Sequence, residues 1–142
     1  MSTSTTTDTT ATAVAIAFYE HISAGDLDAA TALVDAGYVG HGLGSDGGPS
    51  SVRRDLETWA AAVPDLRIEI EDTVADGELV AIRMQLVGTQ SGDFAGIPAS
   101  DLPFRIGGTD VLRVREGRIV EAWTLCDLAS MFAQVGALPA TA

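Results

Sequence analysis

The chain has 142 residues, 46% of them hydrophobic, with 20 acidic against 8 basic side chains and a net charge of −12. Its length suits one domain with a proper core, its charge repels a phosphate backbone and argues against nucleic-acid binding, and no run nears the ~18 apolar residues of a membrane span. A single cysteine, Cys126, excludes an internal disulfide, and with only His21 and His41 beside it no metal centre is expected.

Residues 1–12, nearly all Ser, Thr and Ala after Met1, read as a disordered tail, leaving residues 13–138 as a single domain. No basic stretch leads into an apolar one, so no secretory signal is read and a cytoplasmic location is expected. Val14, Phe18 and Ile22 recur every four residues and predict a first helix, ended by Gly25. Asp26 is placed to cap a second helix from about Leu27 to Val34. The glycines from Gly37 to Gly48, with Tyr38 and His41 among them, read as a loop. Pro49 and Ser50 or Ser51 start a third helix through Leu56, Trp59 and Val63, closed by Pro64-Asp65.

The pattern then changes period. Leu66, Ile68, Ile70, Asp72 and Val74 alternate with Arg67, Glu69, Glu71 and Thr73, a strand with one wet side. Ala75-Asp76-Gly77-Glu78 is a hairpin turn, and Leu79 to Thr89 returns as a long strand. A loop from Gln90 to Pro103 precedes a second hairpin, Gly108 to Trp123, which turns at Arg115-Glu116-Gly117-Arg118, where Gly117 can supply a positive φ. A short helix from Leu128 to Val135 closes the fold. Helices first and long strands after them make an α+β pattern.

Several pieces recur in a known order: Gly25-Asp26, Tyr38, His41-Gly42, Val63-Pro64-Asp65-Leu66, Glu71-Asp72, Ala75-Asp76-Gly77, Arg83, Gly88-Thr89, Gly92 through Phe94 to Gly96-Ile97-Pro98, the last hairpin with Asp127, and Gln134-Val135-Gly136. None is specific alone. Together, over nearly the whole chain after the tail, they resemble the SnoaL-like polyketide cyclases of the nuclear-transport-factor-2-like superfamily. The resemblance implies a cone-shaped α+β barrel, a curved antiparallel sheet wrapped around N-terminal helices with an internal pocket. It further implies side-chain acid/base chemistry on a hydrophobic polyketide without a bound cofactor, in a homodimer joined through the sheet.

Family members that close rings by aldol chemistry carry an aspartate directly after the hairpin tryptophan and a histidine three residues before the arginine. Here Thr124 follows Trp123, and Asp110 stands three before Arg113. The turn at Glu116-Gly117 puts Asp110 and Thr124 across the ladder from each other, so one carboxylate stays in the neighbourhood and the histidine does not. The resemblance thus points to ring closure or rearrangement by something other than the usual pair. The alternatives are a cofactor-free hydroxylase or epoxide hydrolase on the same fold, and a non-catalytic protein that binds a hydrophobic metabolite.

Asp110, in an otherwise apolar strand, is the first candidate: buried in a dry pocket it would have a raised pKa, while the bland reading makes it exposed or a partner of an arginine. Asp127 stands either at a pocket rim or as the N-cap of the last helix. His41 is either a proton carrier at the pocket mouth or a loop histidine. Arg83 and Gln85 share a strand face and could steady an oxyanion, or Arg83 pairs with Glu69 or Glu71. Tyr38, Trp59, Phe94, Trp123, Thr124 and Met131 complete the expected substrate contacts.

Overall fold

The computed structural model describes residues 3–42 and 46–138, with side chains from Thr10 onward. Three helices, α1 (Thr3–Ser23), α2 (Leu27–Ala32) and α3 (Gly48–Ala62), pack on one face of a five-stranded curved sheet. Its strands are β1 (Val34–Gly42), β2 (Arg67–Asp76), β3 (Leu79–Thr89), β4 (Pro103–Arg115) and β5 (Arg118–Cys126), and α4 (Leu128–Gln134) follows. The spatial order is β1-β5-β4-β3-β2. Every pairing is antiparallel except β1 with β5, which is parallel, so the sheet is mixed where an antiparallel one was expected. The α+β class is as expected.

α1 begins at Thr3, inside the stretch whose composition suggested a disordered tail; the first two residues of that stretch lie outside the described residues. Ala11, Ala15, Phe18 and Ile22 form a helical stripe that is buried against the sheet, so the apolar face continues back through the alanines and packing outweighs the weak helix preference of Ser and Thr. Asp26 does cap α2, accepting a 3.0 Å bond from the Ala29 backbone N–H.

The glycine-rich segment is not only loop. Residues 34–42 form β1, while Gly44 of the expected loop lies outside the described residues. β1 runs so close to β5 that a Cβ on Gly42, whose φ is +94°, would sit 2.3 Å from the Thr124 carbonyl oxygen. The glycine that suggested a loop is what lets the two backbones approach.

β2 departs from simple alternation. Its register against β3 shifts between Ile70 and Asp72, a bulge that turns Thr73 and Ala75 inward and leaves Val74 72% exposed. In the last hairpin, Glu116 (φ 53°) and Gly117 (φ 75°) both adopt positive φ and Arg115 pairs with Arg118, the tight turn expected there.

The inner sheet face carries Val80, Ile82, Met84 and Leu86 on β3, Phe104, Ile106, Leu112 and Val114 on β4, and Ile119 and Ala122 on β5. These side chains and the buried stripes of α1 and α3 make one core. Among the described residues, no helix is long and apolar enough to cross a membrane.

Candidate functional site

The core is not filled everywhere. Between the helices and the inner sheet face lies a cavity of about 230 Å³, walled by Phe18 and Tyr19 of α1, Val52, Asp55, Leu56 and Trp59 of α3, and the inner residues of the sheet. The gap opens where the sheet side chains are short: Gly108 on β4 faces Cys126 on β5, and Asp110 faces Thr124. Phe94, from the loop after β3, closes one end against Trp59, with ring centroids 4.7 Å apart, and packs on Phe132 of α4 at 6.5 Å.

Asp110 is the polar centre of this space. Strand alternation sends it inward between Gly108 and Leu112, and the Tyr19 hydroxyl donates to its Oδ2 at 2.5 Å. Burial pushes its carboxyl up to about 6; the Tyr19 hydroxyl and the Leu125 backbone N–H pull the other way. The same burial, with the Asp110 charge beside it, holds the Tyr19 phenol well above its ordinary value. The pair is therefore a carboxylate that accepts from a firmly protonated phenol, with a proton affinity suited to exchange near neutral pH. Burial also pushes the Cys126 thiol up to about 11, which makes it a neutral wall residue and no nucleophile.

Sequence reasoning missed Asp55 as a lining residue. It lies three residues after Val52 and four before Trp59, within the apolar stripe of α3, and that charge on an inward helix face was the available signal. Burial raises its carboxyl as well. Tyr19, grouped at first with the aromatics in general, proves to be the hydrogen-bond partner of Asp110.

Tyr38, Trp59, Phe94 and Thr124 line the cavity with Asp110. The other expected residues do not. Trp123 and His41 lie on the outer sheet face, stacked with centroids 5.2 Å apart. His41 Nε2 meets Glu121 at 2.8 Å, and the Arg113 guanidinium lies 5.9 Å from the Trp123 ring centre. Consecutive strand residues face opposite sides, so Thr124 inside requires Trp123 outside. Arg83 and Gln85 are also outward: Arg83 pairs with Asp72 at 2.7 Å and Glu71 at 3.1 Å, and Gln85 donates to Glu71 at 3.2 Å. They border an open depression with Asp127, on the side of the sheet away from the Asp110 carboxyl.

Asp127 caps α4, accepting from the Ser130 backbone N–H at 3.1 Å and its hydroxyl at 2.6 Å, and these donors hold its carboxyl below the usual range. Met131, on α4, is fully buried and does not line the cavity. The grouping of Asp110 with His41, Asp127 and Arg83 is thus corrected: the sheet separates His41 and Arg83 from the cavity, and capping occupies Asp127. Among the described residues, no three His, Cys, Asp or Glu side chains converge as a metal site.

Comparison with solved structures gives the same architecture. IdmH from Streptomyces antibioticus, a proposed polyketide cyclase, superposes with a TM-score of 0.79 at 31% identity, over 89% of this chain and 98% of that one. TsrD from Streptomyces laurentii gives 0.83 at 27% identity, over 92% and 97%. AclR from Streptomyces galilaeus, a proposed hydroxylase, shares the fold at 0.86 and 20% identity, over 95% and 90%. Among curated proteins nothing matches the chain. The model of the SnoaL-like polyketide cyclases matches residues 13–135, and the chain belongs to that family.

Proposed function

We propose that this chain is a cofactor-independent enzyme that closes or rearranges a ring in a polyketide intermediate, with Asp110 as the general base. One observation carries the reading: a carboxylate with a pKa of about 6 stands in an apolar cavity and holds a hydrogen bond from Tyr19. Above that pKa Asp110 is ionised, and desolvation makes it a stronger base than an exposed aspartate. It removes a proton from an acidified carbon or a hydroxyl of the substrate. Tyr19 and the Leu125 N–H steady the carboxylate between turnovers, and the protonated Asp110 then returns the proton to the rearranged product. The walls exclude water and hold the reacting ends together, which supplies a further part of the rate. The cavity is smaller than the ~300–1,000 Å³ of drug-sized sites, so it encloses the reacting segment and not the whole of a large intermediate.

Deleting the gene in its native host and comparing metabolites by accurate mass tests this. Accumulation of an isomer of the normal product, or of its precursor, is expected. A compound short of one oxygen would point to hydroxylation instead, and an unchanged profile at reduced yield would favour a binding protein. The homodimer implied by the family resemblance would bury the outer sheet face, where Trp123 is 36% and Leu125 71% exposed. A single monomeric species in sedimentation at micromolar concentration would remove that part of the reading.

A further inference from the structure

The cavity has an unbalanced charge. The chain contains no lysine, so its eight basic side chains are all arginines, and none lines the cavity. Arg53 reaches Asp28 and Glu57, Arg67 and Arg105 share Glu69, and Arg83 holds Asp72 and Glu71. Arg113 and Arg115 meet at Glu78, Arg118 donates to the Ala32 carbonyl, and Arg54 is exposed. His21 and His41 are also outside the lining. Against these absences, two carboxyls face the same small apolar space: Asp110 and Asp55.

The two differ in their partners. Asp110 has Tyr19 and the Leu125 N–H. Among the described residues, no donor and no cation reaches Asp55, and burial is the sole cause of its raised carboxyl pKa. A half-buried carboxylate without a partner costs folding energy that an apolar side chain at the same place would not. Among the described residues nothing offsets that cost, and a ligand can.

We propose that Asp55 receives a cationic nitrogen of the ligand, so that the cavity selects substrates carrying a protonated amine and rejects carboxylates. The inference rests on the reading of this cavity as the ligand site, but not on the role of Asp110 in turnover. Three physical effects favour a cation over a neutral donor. An ammonium adds the attraction of opposite charges to the hydrogen bond that the Asp55 carboxylate accepts from either donor. The Asp110 charge nearby adds attraction in a space where screening is poor. The aromatic faces of Trp59, Phe94 and Tyr19 along the same walls favour a cation further. A carboxylate ligand would instead bring a third negative charge into a space that offers no cation.

Equilibrium binding to the full chain, followed by calorimetry, tests this with three probes on one skeleton: 2-naphthylmethylamine, 2-naphthylmethanol and 2-naphthoate. The amine is expected to bind about tenfold more tightly than the alcohol, and the naphthoate more weakly than both. Asp55→Asn should remove most of the amine's advantage over the alcohol and change the alcohol's own affinity far less; Asp55→Ser serves the same purpose should the asparagine variant fail to fold. Equal affinities of amine and alcohol in the wild type would overturn the proposal while leaving the cavity as a ligand site. So would an advantage of the amine that survives both Asp55 variants undiminished. Failure of all three probes to bind would overturn it together with the ligand-site reading.

Discussion

Asp110→Asn should lower product formation by about 10²–10⁴-fold, the usual share of a positioned general base, and should at the same time make the protein more stable at pH 8. The two effects share one cause. An unfolded aspartate titrates near 3.9, and burial pushes Asp110 up to about 6 in the fold. Between these values the folded state binds more protons than the unfolded one, so this group makes stability fall as pH rises. Its destabilisation is absent below about pH 4 and complete above about pH 7, where it amounts to roughly 2–3 kcal/mol. Asparagine removes the charge and keeps an oxygen that can accept from Tyr19.

The comparison must be between variant and wild type at each pH, because other carboxyls act in the opposite sense. Asp65, Glu69, Asp72, Glu78 and Glu121 have lowered pKa values from the Thr89 backbone N–H, Arg105, Arg83, Arg115 and His41 respectively, and their contributions are lost on acidification. Denaturant unfolding at pH 4 and pH 8 therefore isolates Asp110 as the part of the difference that vanishes in acid. Full product formation by the asparagine variant would end the general-base reading. A variant less stable than wild type at pH 8 would show that the carboxylate is instead held by favourable contacts.

The features legible in the sequence were those set by short-range rules. The tight turn at Glu116-Gly117 fixes the register of the last hairpin, and register alone puts Asp110 opposite Thr124. What was misplaced depended on which way a strand faces. Asp110 and Arg113 are three positions apart, an odd offset, and must point to opposite sides of the strand. Trp123 and Thr124, as neighbours in a strand, cannot both touch a ligand in one cavity. That rule was available from the sequence, and it excludes Trp123 once Thr124 is inside.

Other misses had no local signal. The bulge in β2 reverses the outward side after Ile70, and nothing in Glu71-Asp72 announces it. β1 pairs with a strand some eighty residues away, and its glycines resemble a loop because the close approach to Thr124 is visible only in three dimensions. Asp55 lies between these cases. Its position in the apolar stripe of α3 was readable, but the cavity that gives it meaning arises from Gly108 and Cys126 on the opposite wall.

Gln90→Glu, a change that keeps the side chain's shape, should lower stability by about 3 kcal/mol or more at neutral pH and the melting temperature by roughly 10 °C. Gln90 is fully buried at the start of the loop between β3 and β4. Its Nε2 lies 3.2 Å from the Gly92 carbonyl oxygen, 3.2 Å from that of Ile97 and 3.1 Å from that of Pro98. Its backbone N–H donates to the Leu102 carbonyl, and its own carbonyl accepts from Ser100 and Asp101. One side chain thus gathers both limbs of the loop, and the donated protons are what it supplies, since Oε1 has no partner among the described residues. Glutamate has the same shape but would set a carboxylate against three carbonyl oxygens, removing the side-chain donor from all three and leaving that of Ile97 with the Phe94 N–H alone. The strain would fall on the turn in which Phe94 and Ile97 exchange backbone hydrogen bonds, and so on the ring that closes the cavity against Trp59. Ligand affinity should fall together with stability, and Gln90→Met, which fills the volume without a donor or a charge, should lie between the two. A glutamate variant that melts within about 2 °C of wild type would show that the loop is held by its backbone bonds alone.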